Sequence, residues 1–175
     1  KNAEKRLQYR EGRLALAVLH EATEAGLVER YIGSRDRRWL CEGVANYVAW
    51  KVARDRAGAG FAREVYDLDR QLANAAGLQR EIDLRRWPAV EKQTESERNA
   101  VINQAHYAFA ARAVFELARR HGEAAVPKLF REIGLTPREK VRMATVAQAY
   151  RKITGEKLDD LIRAAEKTPV AVGPK

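Results

Sequence analysis

Cysteine is almost missing from this chain of 175 residues. The single Cys41 excludes an internal disulfide and any zinc site built on paired thiolates. No apolar run approaches the ~20 residues that a membrane-spanning helix needs, so no transmembrane segment is expected. No signal-peptide pattern opens the sequence. Convincing alternation of apolar and polar residues is also missing, which argues against half-buried strands. No internal repeat, low-complexity tract or linker divides the chain, and 175 residues is an ordinary length for one domain. The expected organisation is one domain over 1–167 and a loose tail over 168–175.

Positive charge is in excess, with 33 Lys and Arg against 24 Asp and Glu, a formal net charge of +9. Such a balance favours acidic partners. The basic residues are scattered through amphipathic segments, as at Arg119 and Arg120 or at Arg138, Lys140 and Arg142. They form no run with interleaved aromatics, so no specific nucleic-acid binding is expected.

The dominant pattern is helical spacing, which predicts a mainly α class. A first helix over 3–31 carries Leu14, Val18, Ala22 and Ala25 on one face, with Gly33 as terminator and a loop over 34–37. A second, over 38–55, places Leu40, Val44, Tyr47 and Val48 at apolar spacing before Gly58 and Gly60 break it. A third spans 61–76, and 77–93, with Trp87-Pro88, reads as irregular. Thr94 with Glu97 forms a capping-box signature for a long helix ending near His121. A short helix then ends at Gly134, Thr136-Pro137 with Glu139 starts another that Gly155 ends, and the last covers 156–167.

His20-Glu21-Ala22-Thr23-Glu24 lies within the first helix, where residues four apart share a face, so His20 and Glu24 project together. Glu42 follows His20 by 22 residues, early in the second helix. A helix, a tight loop and an antiparallel helix would return Glu42 opposite His20 and Glu24, gathering one nitrogen and two carboxylate oxygens around a point that suits a divalent metal. Glu21 is offset by about 100° of helical turn, beside that point, where a general base belongs.

His20-Glu21-x-x followed by Arg38-Trp39-Leu40-Cys41-Glu42-Gly43-Val44-Ala45-Asn46-Tyr47-Val48 resembles the gluzincin, or peptidase-MA-like, zinc metallopeptidases. Their pattern is H-E-x-x-H with a glutamate about twenty residues on. Tyr107-Ala108-Phe109-Ala110 and Val114-Phe115-Glu116-Leu117 are similar to the tyrosine-bearing helix of the aminopeptidase branch, and 147–161 to the C-terminal end of such domains, so the resemblance spans about 14–162. It implies the helical part of a gluzincin fold with a zinc ion and a peptide or protein substrate. His20 and Glu42 would be ligands, Glu21 the general base, Tyr107 the oxyanion stabiliser, and Asn46 would orient His20. The β-sheet that such enzymes place before the active-site helix, whose edge strand holds substrate, has no counterpart in this sequence.

The departure is Glu24, where the family has its second histidine. One histidine and two carboxylates leave a divalent ion near zero net charge. The centre is then a weaker Lewis acid, and preference shifts from zinc towards harder ions such as manganese. With no ion, Glu21, Glu24 and Glu42 crowd three negative charges, so a cation or an arginine or lysine side chain is expected in the pocket. Two main readings stay open, a metal-dependent peptidase with a His20-Glu24-Glu42 centre and an inactive pseudopeptidase that binds a protein partner, with a purely electrostatic nucleic-acid binder as a weaker third. His106 and His121 read as structural or exposed, Trp39, Trp50 and Trp87 as core or groove aromatics, and Cys41 as a small buried residue.

Overall fold

A computed structural model describes residues 2–32, 37–87 and 96–167, with side chains from residue 8 onward. Gly33 as terminator, the loop over 34–36, Pro88, Thr94 of the expected capping box and the tail over 168–175 lie outside the described residues. Among the described residues the chain is all-α, without a strand. No helix among the described residues is long and apolar enough to cross a membrane.

Helix α1 (Asn2–Thr23) continues into a π-helical turn (Glu24–Val28) and a last short turn (Glu29–Tyr31). It is followed by α2 (Arg38–Val65), α3 (Leu68–Ala75), α4 (Glu97–His121), α5 (Ala125–Ile133), α6 (Met143–Thr154) and α7 (Leu158–Lys167). In the π turn the Glu29 N–H reaches the Glu24 carbonyl five residues back. That turn takes one residue more than an α turn and redirects the helix, and Val28 at its end and Ile32 beyond it are wholly buried.

The apolar face expected for the first helix is turned to solvent, with Leu14 67% and Val18 59% exposed. The stripe that packs against α2 instead runs through Tyr9, Gly12, Leu16 and Leu19. Glycine explains the choice, because a Cβ at Gly12 would lie 2.6 Å from Phe61 Cζ and from Val65 Cγ1, closer than any side chain tolerates. Gly12 meets Phe61 and Val65, Leu16 shares a cluster with Ala49 and Ala53, and His20 meets Asn46, so α1 and α2 run antiparallel.

Three further boundaries differ from expectation. Gly58 (φ 88°, ψ 160°) kinks α2 rather than ending it, and the helix resumes to Val65. The segment expected as one helix over 61–76 breaks at Asp67, whose carboxylate accepts from the Arg70 N–H and starts α3. In place of a helix opening at Thr136-Pro137 there is a 3₁₀ turn (Arg138–Lys140) and the extended, wholly buried Val141; α6 starts after Arg142, whose N–H donates to Thr145 Oγ1. Ser96 caps α4 by accepting from the Asn99 N–H, and Gly122 and Gly155, both at positive φ, end α4 and α6. The described part of the stretch expected to be irregular, up to Trp87, holds the 3₁₀ turns Ala76–Glu81 and Leu84–Arg86.

The main core gathers Trp39, Leu40 and Val44 of α2, Phe109, Val114 and Leu117 of α4, and the buried faces of α5, α6 and α7. Helix α4 runs parallel to α2: Tyr107 meets Arg38, Ala110 meets Gly43, and Phe115 meets Tyr47 and Trp50. At Gly43 a Cβ would stand 2.5 Å from the Ala110 carbonyl oxygen, so the two backbones approach only because that side chain is hydrogen. This approach brings the first turns of α2, the end of α1 and the middle of α4 to one place.

Candidate metal centre

His20 lies in the last turn of α1 and points at Glu42 and Asn46 of α2. Its Nδ1 lies 3.1 Å from Asn46 Oδ1. With the Nδ1–H donating to that carbonyl, Nε2 faces Glu42 Oε2 at 3.2 Å and Glu24 Oε2 at 3.9 Å. One ligand atom from each of His20, Glu24 and Glu42 can be chosen so that no two lie more than 4.8 Å apart. Zinc bonds of about 2.0–2.1 Å place tetrahedral ligands roughly 3.3 Å apart. The His20–Glu42 pair already has that spacing at 3.2 Å, and Glu24 stands somewhat further off, 3.9 Å from His20 Nε2. The donor set and its spacing therefore fit a divalent cation.

The two carboxylates also draw positive charge to His20 Nε2, be it a cation or a proton. A nitrogen lone pair facing two carboxylates is repelled unless a positive charge lies between them. His20 accordingly has its pKa raised, first by its hydrogen bond to Glu42 and also by the Glu42 charge, Asn46 and Glu24, against the opposing effect of burial. Glu24 is raised as well, by burial first and then by the neighbouring Glu42 charge.

Arg38 supplies the positive side chain. One turn before Glu42, it donates from Nε to Glu42 Oε1 at 3.2 Å and from Nη2 to the Tyr107 hydroxyl at 2.8 Å. Its guanidinium stacks 4.5 Å from the Trp87 ring centre. Glu42, only 6% exposed, thus presents one oxygen to Arg38 and the other to His20. The Tyr107 phenol is raised by burial and by Glu42 beside it, which keeps it a hydrogen-bond donor. Arg38 received no role from sequence, although its i,i+4 spacing to Glu42 was the available signal.

Glu21 is exposed and lines, with His20, Asn46 and Tyr107, a cleft of about 1250 Å³. The site residues named from sequence, His20, Glu21, Glu24, Glu42, Asn46 and Tyr107, therefore lie at one end of the α1–α2–α4 layer. His106 lies outside the cluster: it is 2% exposed, its Nδ1 is 2.9 Å from the Ile102 carbonyl oxygen, and its ring stacks on Trp87. Burial lowers its pKa. Cys41 is fully buried, and desolvation pushes its thiol up to about 12, so it is no thiolate ligand.

Comparison with family models, with curated proteins and with solved structures returns no match for this chain.

Proposed function

We propose that this is a metallopeptidase-type domain in which His20, Glu24 and Glu42 hold a divalent cation, zinc or a harder ion such as manganese, beside a peptide-binding cleft. The observation that carries the reading is the convergence of His20 Nε2 with one oxygen of each carboxylate, while Asn46 engages the other ring nitrogen. When bound, such an ion polarises a carbonyl and acidifies water. The chain's own residues supply the rest. Glu21, on the cleft wall, accepts a proton from the attacking water as general base. Tyr107, which accepts from Arg38 and is hydrogen-bonded to Glu42, would turn its hydroxyl proton from that carboxylate to the oxygen on which negative charge develops.

Arg38 also bears on the substitution at position 24. A doubly charged ion, a neutral imidazole, two carboxylates and the guanidinium 3.2 Å from Glu42 sum to a local charge of +1. That is the value two histidines and one glutamate would give, so Arg38 restores the charge that Glu24 removes.

A second reading has its own observation. Arg38 already engages both Glu42 and Tyr107, which is how a pseudopeptidase would neutralise its pocket and keep the cleft for binding alone. Hydrolysis of a quenched-fluorescent peptide library by the protein loaded with zinc or manganese separates the two. The peptidase reading expects turnover that falls about 10²-fold or more in Glu21→Gln and in Tyr107→Phe. Metal uptake without hydrolysis of any library member leaves the pseudopeptidase.

A further inference from the structure

Beyond the candidate ligands, the cleft beside the metal centre is lined by amides and arginines. Five carboxamides line it: Asn46, Gln71, Asn74, Asn103 and Gln104. Two are oriented by their neighbours, since Asn103 Oδ1 accepts from Trp87 Nε1 at 2.7 Å and Asn46 Oδ1 faces His20 Nδ1. Their NH₂ groups remain as fixed donors. A carboxamide carries the same donor and acceptor as a peptide group, so such walls can hold an extended main chain with no sheet edge, and no strand exists among the described residues.

Away from His20 the cleft becomes basic. Arg13, Arg63 and Arg70 line it against two carboxylates, Glu64 and Asp67. Asp67 is committed to capping α3 through the Arg70 N–H. Arg63 and Arg70 are exposed and make no ion pair among the described residues. Glu21, by contrast, stands at the metal end.

From this polarity we infer that the ligand is an extended peptide held through its main chain by the carboxamides, with acidic side chains on the stretch that reaches Arg13, Arg63 and Arg70. The inference rests on the peptide-cleft reading above and adds the substrate class.

The test uses the full chain and two dansylated octapeptides of glycine and alanine, one carrying a Glu-Glu pair and the other a Lys-Lys pair, titrated by fluorescence anisotropy at low salt. The acidic peptide should bind about tenfold more tightly, as two exposed charge contacts allow. Because the whole chain is positive, the deciding comparison is between two double variants that remove equal charge. Arg63→Gln with Arg70→Gln should abolish the preference, whereas Lys128→Gln with Arg151→Gln, which lie outside the cleft, should change it less than about twofold. Gln71→Ala with Asn74→Ala should weaken both peptides alike. Equal effects of the two charge-removing pairs, indistinguishable peptides, or displacement of the acidic peptide by a single-stranded oligonucleotide of equal charge at lower concentration would each overturn the proposal. A zinc titration on the same preparations keeps the two ideas apart. Peptide selectivity without metal uptake removes the metal centre and keeps the cleft, and metal uptake without selectivity does the reverse.

Discussion

Replacing Glu24 by histidine tests whether position 24 is a ligand position. Glu24 Oε2 stands 3.9 Å from His20 Nε2 across one helical turn, so an imidazole there reaches the same point from the same face. Two effects favour zinc in the variant. Nitrogen suits zinc better than a second carboxylate oxygen does. Removing the Glu24 charge also removes one of the influences that raise His20, so metal displaces a proton from Nε2 more readily. One effect opposes them, since a carboxylate attracts any dication. Zinc relative to manganese is therefore the cleaner readout, because the lost charge affects both ions. Outer-sphere partners alone change metal affinity by 10–100-fold, so exchanging a ligand should raise the zinc-to-manganese affinity ratio by at least about tenfold, ~1.4 kcal/mol. Calorimetric titration of both ions at pH 7 measures it, with circular dichroism as the check on folding. An unchanged ratio in a folded Glu24→His variant, or a gain that persists when His20 is also replaced by alanine, refutes the reasoning.

Gly43→Ala puts a methyl group 2.5 Å from a backbone oxygen that cannot rotate away. A loss of about 2 kcal/mol is expected, or a melting temperature lower by roughly 4–8 °C in a chain of this size, and an unshifted melting curve would contradict the α2–α4 contact. Leu14→Lys and Val18→Lys should each change stability by less than about 0.5 kcal/mol, whereas Leu16→Ala should cost about 2–4 kcal/mol, both by denaturant titration; the opposite ranking would restore the face expected from sequence. In the metal-free protein, raising His20 above its ordinary value means that the folded state holds its proton more tightly. That contribution is complete below about pH 6.5 and is lost as pH rises through the higher folded value. Stability should therefore fall with rising pH in that window and lose this slope in His20→Gln, and equal slopes in the two proteins would count against the His20–Glu42 contact.

Much of this arrangement was legible in the residues. Helical spacing and missing alternation indicate an all-α chain, Gly122 and Gly155 stop helices where expected, and the spacing of His20, Glu24 and Glu42 implies the cluster the structure contains. What sequence misjudged depends on partners far along the chain. Leu14 and Val18 form a good apolar stripe, but only the closeness of Phe61 and Val65 shows that Gly12 selects the other one. The π turn at Glu24–Val28 has no residue signature and appears only once Val28 and Ile32 are seen in the core. Asp67 offered a cap signal that the helical spacing around it obscured. Arg38 was visible one turn before Glu42, yet its hold on Tyr107 spans 69 residues and follows from the parallel packing of α2 and α4.

In the proposed centre His20, Glu24 and Glu42 together hold one divalent ion. X-ray absorption at the zinc edge, on the 175-residue chain loaded with one equivalent of zinc, reads the coordination directly. One imidazole nitrogen and two carboxylate oxygens at about 2.0–2.2 Å are expected, with the imidazole signal lost in His20→Ala. No stoichiometric zinc after loading, or an imidazole signal that survives in His20→Ala, would contradict it.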